Sequence, residues 1–210
     1  MQRLRRLIVS AALLLSACTS GSASSSLTPL PYTDEFDDPS SGWETLSDLS
    51  AEVRYDRSAL RILVKQENLA QWSFAGKQFA DGVLEVEARA LGGPLDNGFG
   101  VIFRAEDAKN FYHFAISSDG YWRAGIVKEG EWTYWNDWQP HPAVKSGAER
   151  NQLRVVMQSA RFDLYINGQL VSSQEDDSFQ TGDIGVFALS LIGGPGVDVA
   201  FERVSVSPLP

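Results

Sequence analysis

The hydrophobic pattern of this chain constrains its fold more than any single motif does. Short apolar runs are separated by Gly, Asn, Asp and Pro, and no window keeps a helical period over three turns. Many of the runs alternate apolar with polar residues, as half-buried strands do. The pattern therefore predicts an all-β domain with the short, turn-separated strands of a sandwich. The candidate strands are residues 50–55, 59–65, 71–79, 82–90, 99–104, 111–117, 121–127, 133–137, 152–159, 161–166, 169–174, 183–190 and 197–206.

The N-terminus has the features of a secretory signal. Three arginines precede an apolar run, residues 7–17, that is too short to span a bilayer as a mature helix. The run ends in Leu15-Ser16-Ala17-Cys18, which resembles a bacterial lipobox, where the cysteine is acylated and becomes the new N-terminus. The sequence thus predicts a lipoprotein signal peptide over residues 1–17 and attachment to a lipid bilayer through Cys18. The alternative is an ordinary signal peptide with an incidental cysteine.

Composition divides the remainder into a linker and one domain. Residues 18–31 are rich in Ser, Gly, Thr and Pro, a composition that cannot bury enough apolar surface to order itself and predicts a flexible tether. Residues 32–210 are expected to form one β-sandwich, because nothing inside this range marks a linker. We expect the protein to be extracytoplasmic and lipid-anchored. Thr19 stands where Asp would commonly retain a lipoprotein in the inner membrane, which favours the outer membrane if the cell has one.

Cysteine and charge counts exclude several functions. Cys18 is the only cysteine, so no disulfide forms within the chain, and with two histidines a Cys/His zinc cluster is excluded as well. Three of the 18 basic residues and none of the 27 acidic ones precede Cys18. The mature chain therefore has 15 basic against 27 acidic side chains, a formal net charge of −12. So acidic a protein is not expected to bind nucleic acid or to adhere directly to anionic lipid headgroups.

Five motifs spread over residues 34–206 carry a family resemblance. They are D-E-F-D-D-P, N-G-F-G-V-I-F-R, F-D-L-Y-I-N-G-Q-L-V, T-G-D-I-G-V-F and V-A-F-E-R-V-S-V. In this order they resemble the concanavalin A-like lectin/glucanase superfamily, and most closely the bacterial 3-keto-disaccharide hydrolase domain and laminin-G-type jelly rolls. The resemblance implies a two-sheet antiparallel jelly-roll sandwich with one concave face, on which sugars bind in many members. Because one fold hosts many functions, the site has to be argued from the residues.

A carboxylate motif tests whether the chain is an enzyme. Glycoside hydrolase family 16 enzymes of this superfamily place E-x-D-x-E on one strand, and the nearest match here is Glu85-Val86-Glu87-Ala88-Arg89. Arg89 stands where that pattern has its acid/base, and a neighbouring guanidinium would hold both carboxylates ionised, the wrong state for a general acid. We therefore interpret these residues as a solvated or ion-paired strand face. No G-x-S-x-G nucleophile elbow occurs either.

Strand alternation in residues 99–127 predicts a polar and aromatic surface. Phe99, Val101 and Phe103 share one face, which leaves Arg104 on the other. The same reasoning turns His113 outward in the next strand, and Tyr121 and Arg123 outward in the third. If the three strands pair in order, these four side chains lie beside one another on the concave face. They would hydrogen-bond sugar hydroxyls and stack on sugar rings, whereas the plain alternative is ordinary cross-strand packing on a sheet surface.

Aromatic residues are dense just after this meander. Trp132, Tyr134, Trp135 and Trp138 lie within seven residues, and their alternation divides them between the core and an exposed surface. An exposed tryptophan beside the concave face would make a stacking platform for a saccharide, and Trp135 is our candidate. The alternative is that all of them pack between the sheets.

These features lead to three functional hypotheses. The first is a lipoprotein whose jelly roll binds a glycan or cell-wall polysaccharide without catalysis, through Arg104, His113, Tyr121, Arg123 and Trp135. The second is a hydrolase of the 3-keto-disaccharide type, and the third is an envelope lipoprotein that binds a protein partner. No catalytic residue, metal or cofactor is assigned, although the resemblance makes Ca²⁺ an option. Turns hold Asp96, Asn97, Asp107, Asp119, Asp183 and Asp198, but turns also favour these residue types for backbone reasons, and we name no ligand. The oligomeric state stays open.

Overall fold

A computed structural model describes residues 26–191, 194 and 196–210 of the chain. The predicted signal peptide and Cys18 lie outside these residues. None of the described residues lies in a helix, and so none forms a helix long and apolar enough to cross a membrane. The strands are β1 (Tyr32–Asp34), β2 (Leu46–Ser47), β3 (Ala51–Tyr55), β4 (Leu60–Val64), β5 (Leu69–Phe74), β6 (Gly82–Gly92), β7 (Asn97–Asp107), β8 (Asn110–Ile116), β9 (Tyr121–Lys128), β10 (Glu131–Tyr134), β11 (Gln139–Pro140), β12 (Asn151–Gln158), β13 (Arg161–Ile166), β14 (Gln169–Glu175), β15 (Asp183–Ser190) and β16 (Val197–Ser207).

The strands form two antiparallel sheets packed face to face. The nine-stranded sheet has the order β14-β13-β12-β6-β16-β4-β3-β2, with β1 also paired to β16. The seven-stranded sheet has the order β10-β9-β8-β7-β15-β5, with β11 also paired to β9. This architecture confirms the predicted all-β, two-sheet antiparallel jelly-roll sandwich.

All thirteen predicted strands are present, most with ends shifted by one to three residues. The strand predicted over residues 133–137 begins at Glu131 and ends at Tyr134, and the one predicted over 71–79 ends at Phe74. Three strands of two or three residues, β1, β2 and β11, were not predicted, because so short a run shows no alternation.

The core lies between the sheets and is built from alternate residues of the strands. Phe99, Val101 and Phe103 of β7 point inward, as predicted, and meet residues such as Phe162 of β13. All four are at most 1% exposed. Burying one such phenylalanine side chain contributes about 1.5–3 kcal/mol, so these alternate positions fix which face of each strand is left for function.

The segment before β1 corrects one boundary. The Thr28 backbone N–H donates to the Gln78 carbonyl at 2.7 Å, and the Thr28 hydroxyl accepts from the Gln78 N–H at 3.1 Å. Leu30 packs against the main core. The last residues of the predicted 18–31 tether therefore belong to the domain, which begins by Thr28 rather than at residue 32.

Candidate functional site

The outer face of the seven-stranded sheet carries a second apolar cluster. Its buried members are Phe74, Ile102, Ala105, Phe111, Ala115, Val127 and Phe187. Trp72, Trp132, Trp138 and Leu189 cover them and are only partly buried. We call this surface, completed by Tyr121, Arg123 and Tyr134, the aromatic face. A large, partly exposed aromatic surface on a sheet that needs no further partner for its core marks an interaction site.

The aromatic rings meet across the middle of the sheet. The ring centroids of Trp72 on β5 and Phe111 on β8 lie 5.9 Å apart, although β7 and β15 run between these strands. Strands three places apart are separated by roughly 14 Å at their backbones, so the side chains lean together over the intervening strands. Phe111 also contacts Trp132, at 5.8 Å. The centre of the aromatic face is therefore filled with rings and forms a platform rather than a deep groove.

Glycines on β7 allow neighbouring groups to pack directly against the backbone of the sheet. A Cβ added at Gly98 would lie 3.3 Å from the Trp138 ring, so that ring rests directly on the strand. A Cβ at Gly100, the next outward position of β7, would lie 2.0 Å from the Phe114 carbonyl oxygen. The absence of side chains at these positions brings neighbouring groups close to the backbone.

Arg123 is held among the exposed rings. Its guanidinium lies 3.7 Å from the Tyr134 ring centroid and 4.7 Å from that of Trp138, a cation–π arrangement on both. Burial lowers the pKa of Arg123, opposed by electrostatic interactions with Tyr134 and Asp137, but an arginine still stays charged. Tyr121, the preceding outward residue, is 37% exposed and lines a 200 Å³ cavity with Trp138. The predicted face of Tyr121 and Arg123 is thus confirmed.

His113 lies on the predicted face but beneath it. The side chain is 1% exposed, with the Trp132 ring at 4.8 Å and the Tyr134 ring at 5.8 Å. Neither ring nitrogen has a hydrogen-bond partner in the described part of the chain. Burial, together with the Arg123 charge, lowers the pKa of His113 from 6.5 to about 3, so the ring is neutral at physiological pH. A ligand cannot touch His113 while Trp132 covers it, which corrects the prediction of a direct contact.

Arg104 does not lie on the aromatic face. The regular pairing of β7 with β8 breaks after Phe103, and Arg104 adopts a φ of +48°, in the left-handed region. This β-bulge turns the side chain toward the edge of the core, where its guanidinium lies 5.0 Å from the Phe162 ring. The prediction that Arg104 neighbours His113 on the outer face is therefore wrong.

Trp135 also points the other way. Its ring stacks on Phe162 at 6.2 Å and contacts Tyr112 at 5.7 Å, both residues of the main core. The alternation that turns Trp132 and Tyr134 outward turns Trp135 inward, where its N–H donates to the Ala124 carbonyl. The partly buried tryptophans of the aromatic face are Trp72, Trp132 and Trp138. Trp72 was missed by the sequence reasoning, although the pattern Trp72-Ser73-Phe74 in a predicted strand could have placed it outward.

The carboxylates of β6 are ion-paired on the opposite sheet. Glu85 faces Arg154 at 3.7 Å, Glu87 faces Arg150 at 3.5 Å, and Arg89 pairs with Glu202 at 2.9 Å. This confirms the interpretation of these residues as an ion-paired face. At one end of the aromatic face, Asp183 at the start of β15 lines a cavity together with Glu44, Glu106 and Asp107.

The turn aspartates do not fit a calcium site. Asp198 pairs with Arg61, and Asp107 accepts hydrogen bonds from the Lys109 N–H and the Asn110 amide. Asp183 accepts three backbone N–H groups. Within the described residues, no group of three or more His, Cys, Asp or Glu side chains is placed to hold a metal ion. Asp107, Asp183 and Asp198 thus each have a structural partner, whereas Asp96 and Asp119 both line the cavity beside Tyr121 and Trp138.

Comparison with protein families gives one match. The sequence profile of the family described as 3-keto-alpha-glucoside-1,2-lyase-like domain matches residues 33–206. No curated protein is similar enough in sequence to match the chain.

Solved structures with this fold include carbohydrate-binding and carbohydrate-active proteins. The carbohydrate-binding module CBM66 from Bacillus subtilis has a TM-score of 0.65 at 16% identity, covering 80% of this chain and 96% of that one. A Bacillus licheniformis beta-glucanase has a TM-score of 0.64 at 11% identity, covering 85% and 98%. A Bacteroides ovatus family 16 enzyme in complex with its product has a TM-score of 0.60 at 10% identity, covering 83% and 99%. At these identities the likeness concerns the fold.

Proposed function

The chain belongs to the 3-keto-alpha-glucoside-1,2-lyase-like domain family, and from that premise we propose that its jelly roll binds a glycan, without catalysis, on the aromatic face. One observation carries the proposal: Trp132, Tyr134 and Trp138 present partly exposed rings on one sheet face, with the Arg123 guanidinium between two of them. Flat apolar rings match the C–H faces of pyranose units, and the arginine N–H groups match their hydroxyls. The similar fold of a carbohydrate-binding module supports the proposal.

The shape and charge of the aromatic face favour binding over turnover. Its centre is filled by side chains, and the described cavities at its two ends measure 200 and 240 Å³. A glycosidase needs two carboxyl groups facing each other across the scissile bond. Carboxylates line both ends, but the oxygens of Asp183 are occupied by backbone N–H groups at 2.8–2.9 Å, and Asp119 at the other end accepts from the Ser117 hydroxyl. A platform that stacks on a polysaccharide chain needs neither a pocket nor such a pair.

Affinity electrophoresis through gels containing soluble polysaccharides tests this proposal. We expect Tyr134→Ala to weaken retardation about tenfold, equivalent to ~1.4 kcal/mol, because a stacking ring and the support of Arg123 are both lost. Thr133→Ala is the matched control, since Thr133 lies on the same short strand and faces away from Tyr134. Equal retardation of wild type and Tyr134→Ala by every polysaccharide that binds would overturn the proposal.

We also propose that the mature protein is anchored to the membrane through acylated Cys18. The support is the sequence Leu15-Ser16-Ala17-Cys18 and the absence of any other cysteine from the chain. Metabolic labelling with an alkyne-tagged palmitate should mark the wild-type protein and leave Cys18→Ala unlabelled. A labelled Cys18→Ala variant, or an unlabelled wild type in a bacterial host that acylates other lipoproteins, would contradict the anchor.

A second candidate function is turnover of a 3-keto-α-glucoside, favoured by the family and by Asp183. Asp183 lines the 240 Å³ cavity together with Trp72 and Glu44. Burial and the Glu44 charge raise the pKa of Asp183, against the effect of its backbone hydrogen bonds. A ketone at C3 acidifies the C2 hydrogen, so a positioned carboxylate could remove this proton while the bond at C1 breaks.

Incubation with a 3-keto-α-glucoside, followed by NMR, distinguishes the two candidates. Turnover that Asp183→Asn abolishes, while the control Asp37→Asn at an exposed position retains it, would replace the binding proposal by an enzymatic one. Binding without loss of substrate would favour the non-catalytic function.

A further inference from the structure

A cavity of 360 Å³ lies away from the aromatic face, at the edge of the sandwich. It is lined by Arg104 at the bulge of β7, Ser159 in the β12–β13 turn, Asp81 before β6, and residues 177–181 between β14 and β15. Small-molecule sites usually measure roughly 300–1,000 Å³, so this cavity has room for a ligand at the small end of that range.

The wall of the cavity is a buried, hydrogen-bonded arginine. Arg104 is 1% exposed and donates to the Ser159 carbonyl at 2.6 Å and to the Phe179 carbonyl at 3.2 Å. It also donates to Oδ1 of Asp81 at 2.9 Å, while its Nε has no partner among the described residues. The buried guanidinium therefore fixes the groups around the cavity, and the exposed polar groups beside it are the ones that a ligand can reach.

Asp81 is held in place with half of its hydrogen-bonding capacity free. Oδ1 accepts from Arg104 and from the Ser159 backbone N–H, both at 2.9 Å. Oδ2 accepts no hydrogen bond from the described residues, and the side chain is 44% exposed at the cavity. Because Oδ1 holds the carboxylate in place, Oδ2 is a pre-oriented hydrogen-bond acceptor for a ligand in the cavity.

The rim of the cavity carries further polar side chains that make no hydrogen bond within the described chain. The side chains of Ser159, Asp177, Gln180 and Thr181 are exposed and make no hydrogen bond to another described side chain or backbone group. Together with Asp81 they supply hydroxyl and amide donors and carboxylate acceptors around one small space. Two carboxylates against one guanidinium give this space a net negative charge, which disfavours an anionic ligand.

The backbone around the cavity is strained. Arg104 and Ser159 both have positive φ, +48° and +52°, which is unfavourable for residues with a side chain. Gly182 touches the same bulge so closely that a Cβ there would lie 2.3 Å from the Arg104 carbonyl carbon. Such strain concentrates where a structure holds functional groups in position.

From this geometry we infer that the cavity is a second binding site, for a neutral, hydroxyl-rich ligand of the size of one monosaccharide unit, such as the free end of a glycan. Oδ2 of Asp81 accepts hydrogen bonds from its hydroxyls, and Ser159, Gln180 and Thr181 surround the ring. This site binds one terminal sugar unit, whereas the aromatic face, as proposed, stacks along a polysaccharide chain. The inference stands on its own residues and does not require the aromatic face to bind.

Saturation-transfer difference NMR on the full chain, with free glucose, galactose, mannose, fructose and N-acetylglucosamine as probes, tests the inference. Ala160→Trp fills the cavity from its wall, and Gln158→Trp places the same ring two residues away, at an exposed position outside the cavity. We expect at least one sugar to show transfer that Ala160→Trp reduces more than fivefold and Gln158→Trp leaves unchanged. Gln180→Ala, which truncates an exposed side chain, should reduce the transfer to the same sugar by a smaller factor.

Three results would overturn the inference: no transfer to any of the five sugars, transfer unaffected by Ala160→Trp, or transfer lost equally in the Gln158→Trp control. Tyr134→Ala separates this failure from failure of the aromatic face. Transfer that Tyr134→Ala abolishes and Ala160→Trp retains would refute the second site while supporting the first. Polysaccharide retardation that Ala160→Trp leaves intact is expected if the two sites are independent.

Discussion

His113 is a buried base without a partner, and removing it should make the protein more resistant to acid. The neutral ring fits its apolar surroundings, but protonation would place an unpaired charge beneath Trp132. The folded-state pKa of about 3 lies below the ordinary value of 6.5, so protons bind the unfolded chain more readily. The stability that depends on the neutral ring is complete above pH 6.5 and is lost as the pH falls toward 3.

The size of this effect follows from the shift. At about 1.36 kcal/mol per pH unit, lowering the pH from 7 to 4 should cost the folded state about 3 kcal/mol through His113 alone. His113→Phe replaces the imidazole by a ring that carries no proton and loses no hydrogen bond, because neither nitrogen has a partner in the described structure. Carboxylates titrate in both proteins, so their contributions cancel in the difference.

Urea unfolding at pH 7 and pH 4, followed by tryptophan fluorescence, measures the effect. We expect His113→Phe to gain about 3 kcal/mol relative to wild type on going from pH 7 to pH 4. A difference that changes by less than about 0.5 kcal/mol between the two pH values would refute the burial argument, since His113 would then titrate as it does in the unfolded chain. NMR titration of the His113 ring in Trp132→Ala, where the cover is removed, should show its pKa rising toward 6.5.

Two further predictions concern the backbone of β7. Arg104→Met should lower the free energy of unfolding, measured in urea, by about 3 kcal/mol. The reason is that the Ser159 and Phe179 carbonyls lose their hydrogen-bond donor and Asp81 loses its cation. A loss below about 1 kcal/mol would mean that the guanidinium is not held as described. Gly100→Ala should cost about 3 kcal/mol or more, since its Cβ would lie 2.0 Å from the Phe114 carbonyl oxygen. Gly92→Ala, with open space around the new Cβ, is the control, and equal stability of the two alanine variants would contradict the contact.

The sequence predicted which way most strand residues point, because side-chain alternation is a local property. Phe99, Val101 and Phe103 turn inward and Tyr121 and Arg123 outward, as the period of two requires. The prediction failed where a residue left the regular strand. Arg104 sits in a bulge with a left-handed φ, a conformation that its residue type gives no reason to expect.

The burial of side chains was harder to predict than the sheet face toward which they point. The outward direction of His113 was predicted correctly. Its burial was not, because the ring that covers it belongs to Trp132 on β10, a strand that pairs with β9 and not with β8. No local sequence pattern shows that side chains from β8 and β10 will overlap. The prediction for Trp135 failed because alternation alone does not show which set of alternating residues faces the core, and the outward set holds Trp132 and Tyr134. The filling of the aromatic face likewise depends on contacts between β5 and β8 that only the assembled sheet creates.

The bulge in β7 makes the position of one charge sensitive to a single insertion or deletion. Ile102 pairs with Gly185, whereas Ala105 pairs with Asp183, so β7 has one residue more than β15 over this stretch. Deleting Ala105 would restore the regular pairing, place Arg104 opposite Asp183 and turn the arginine onto the aromatic face. When relatives are aligned, a one-residue gap at the position of Ala105 therefore marks chains in which this arginine has moved from one proposed site to the other.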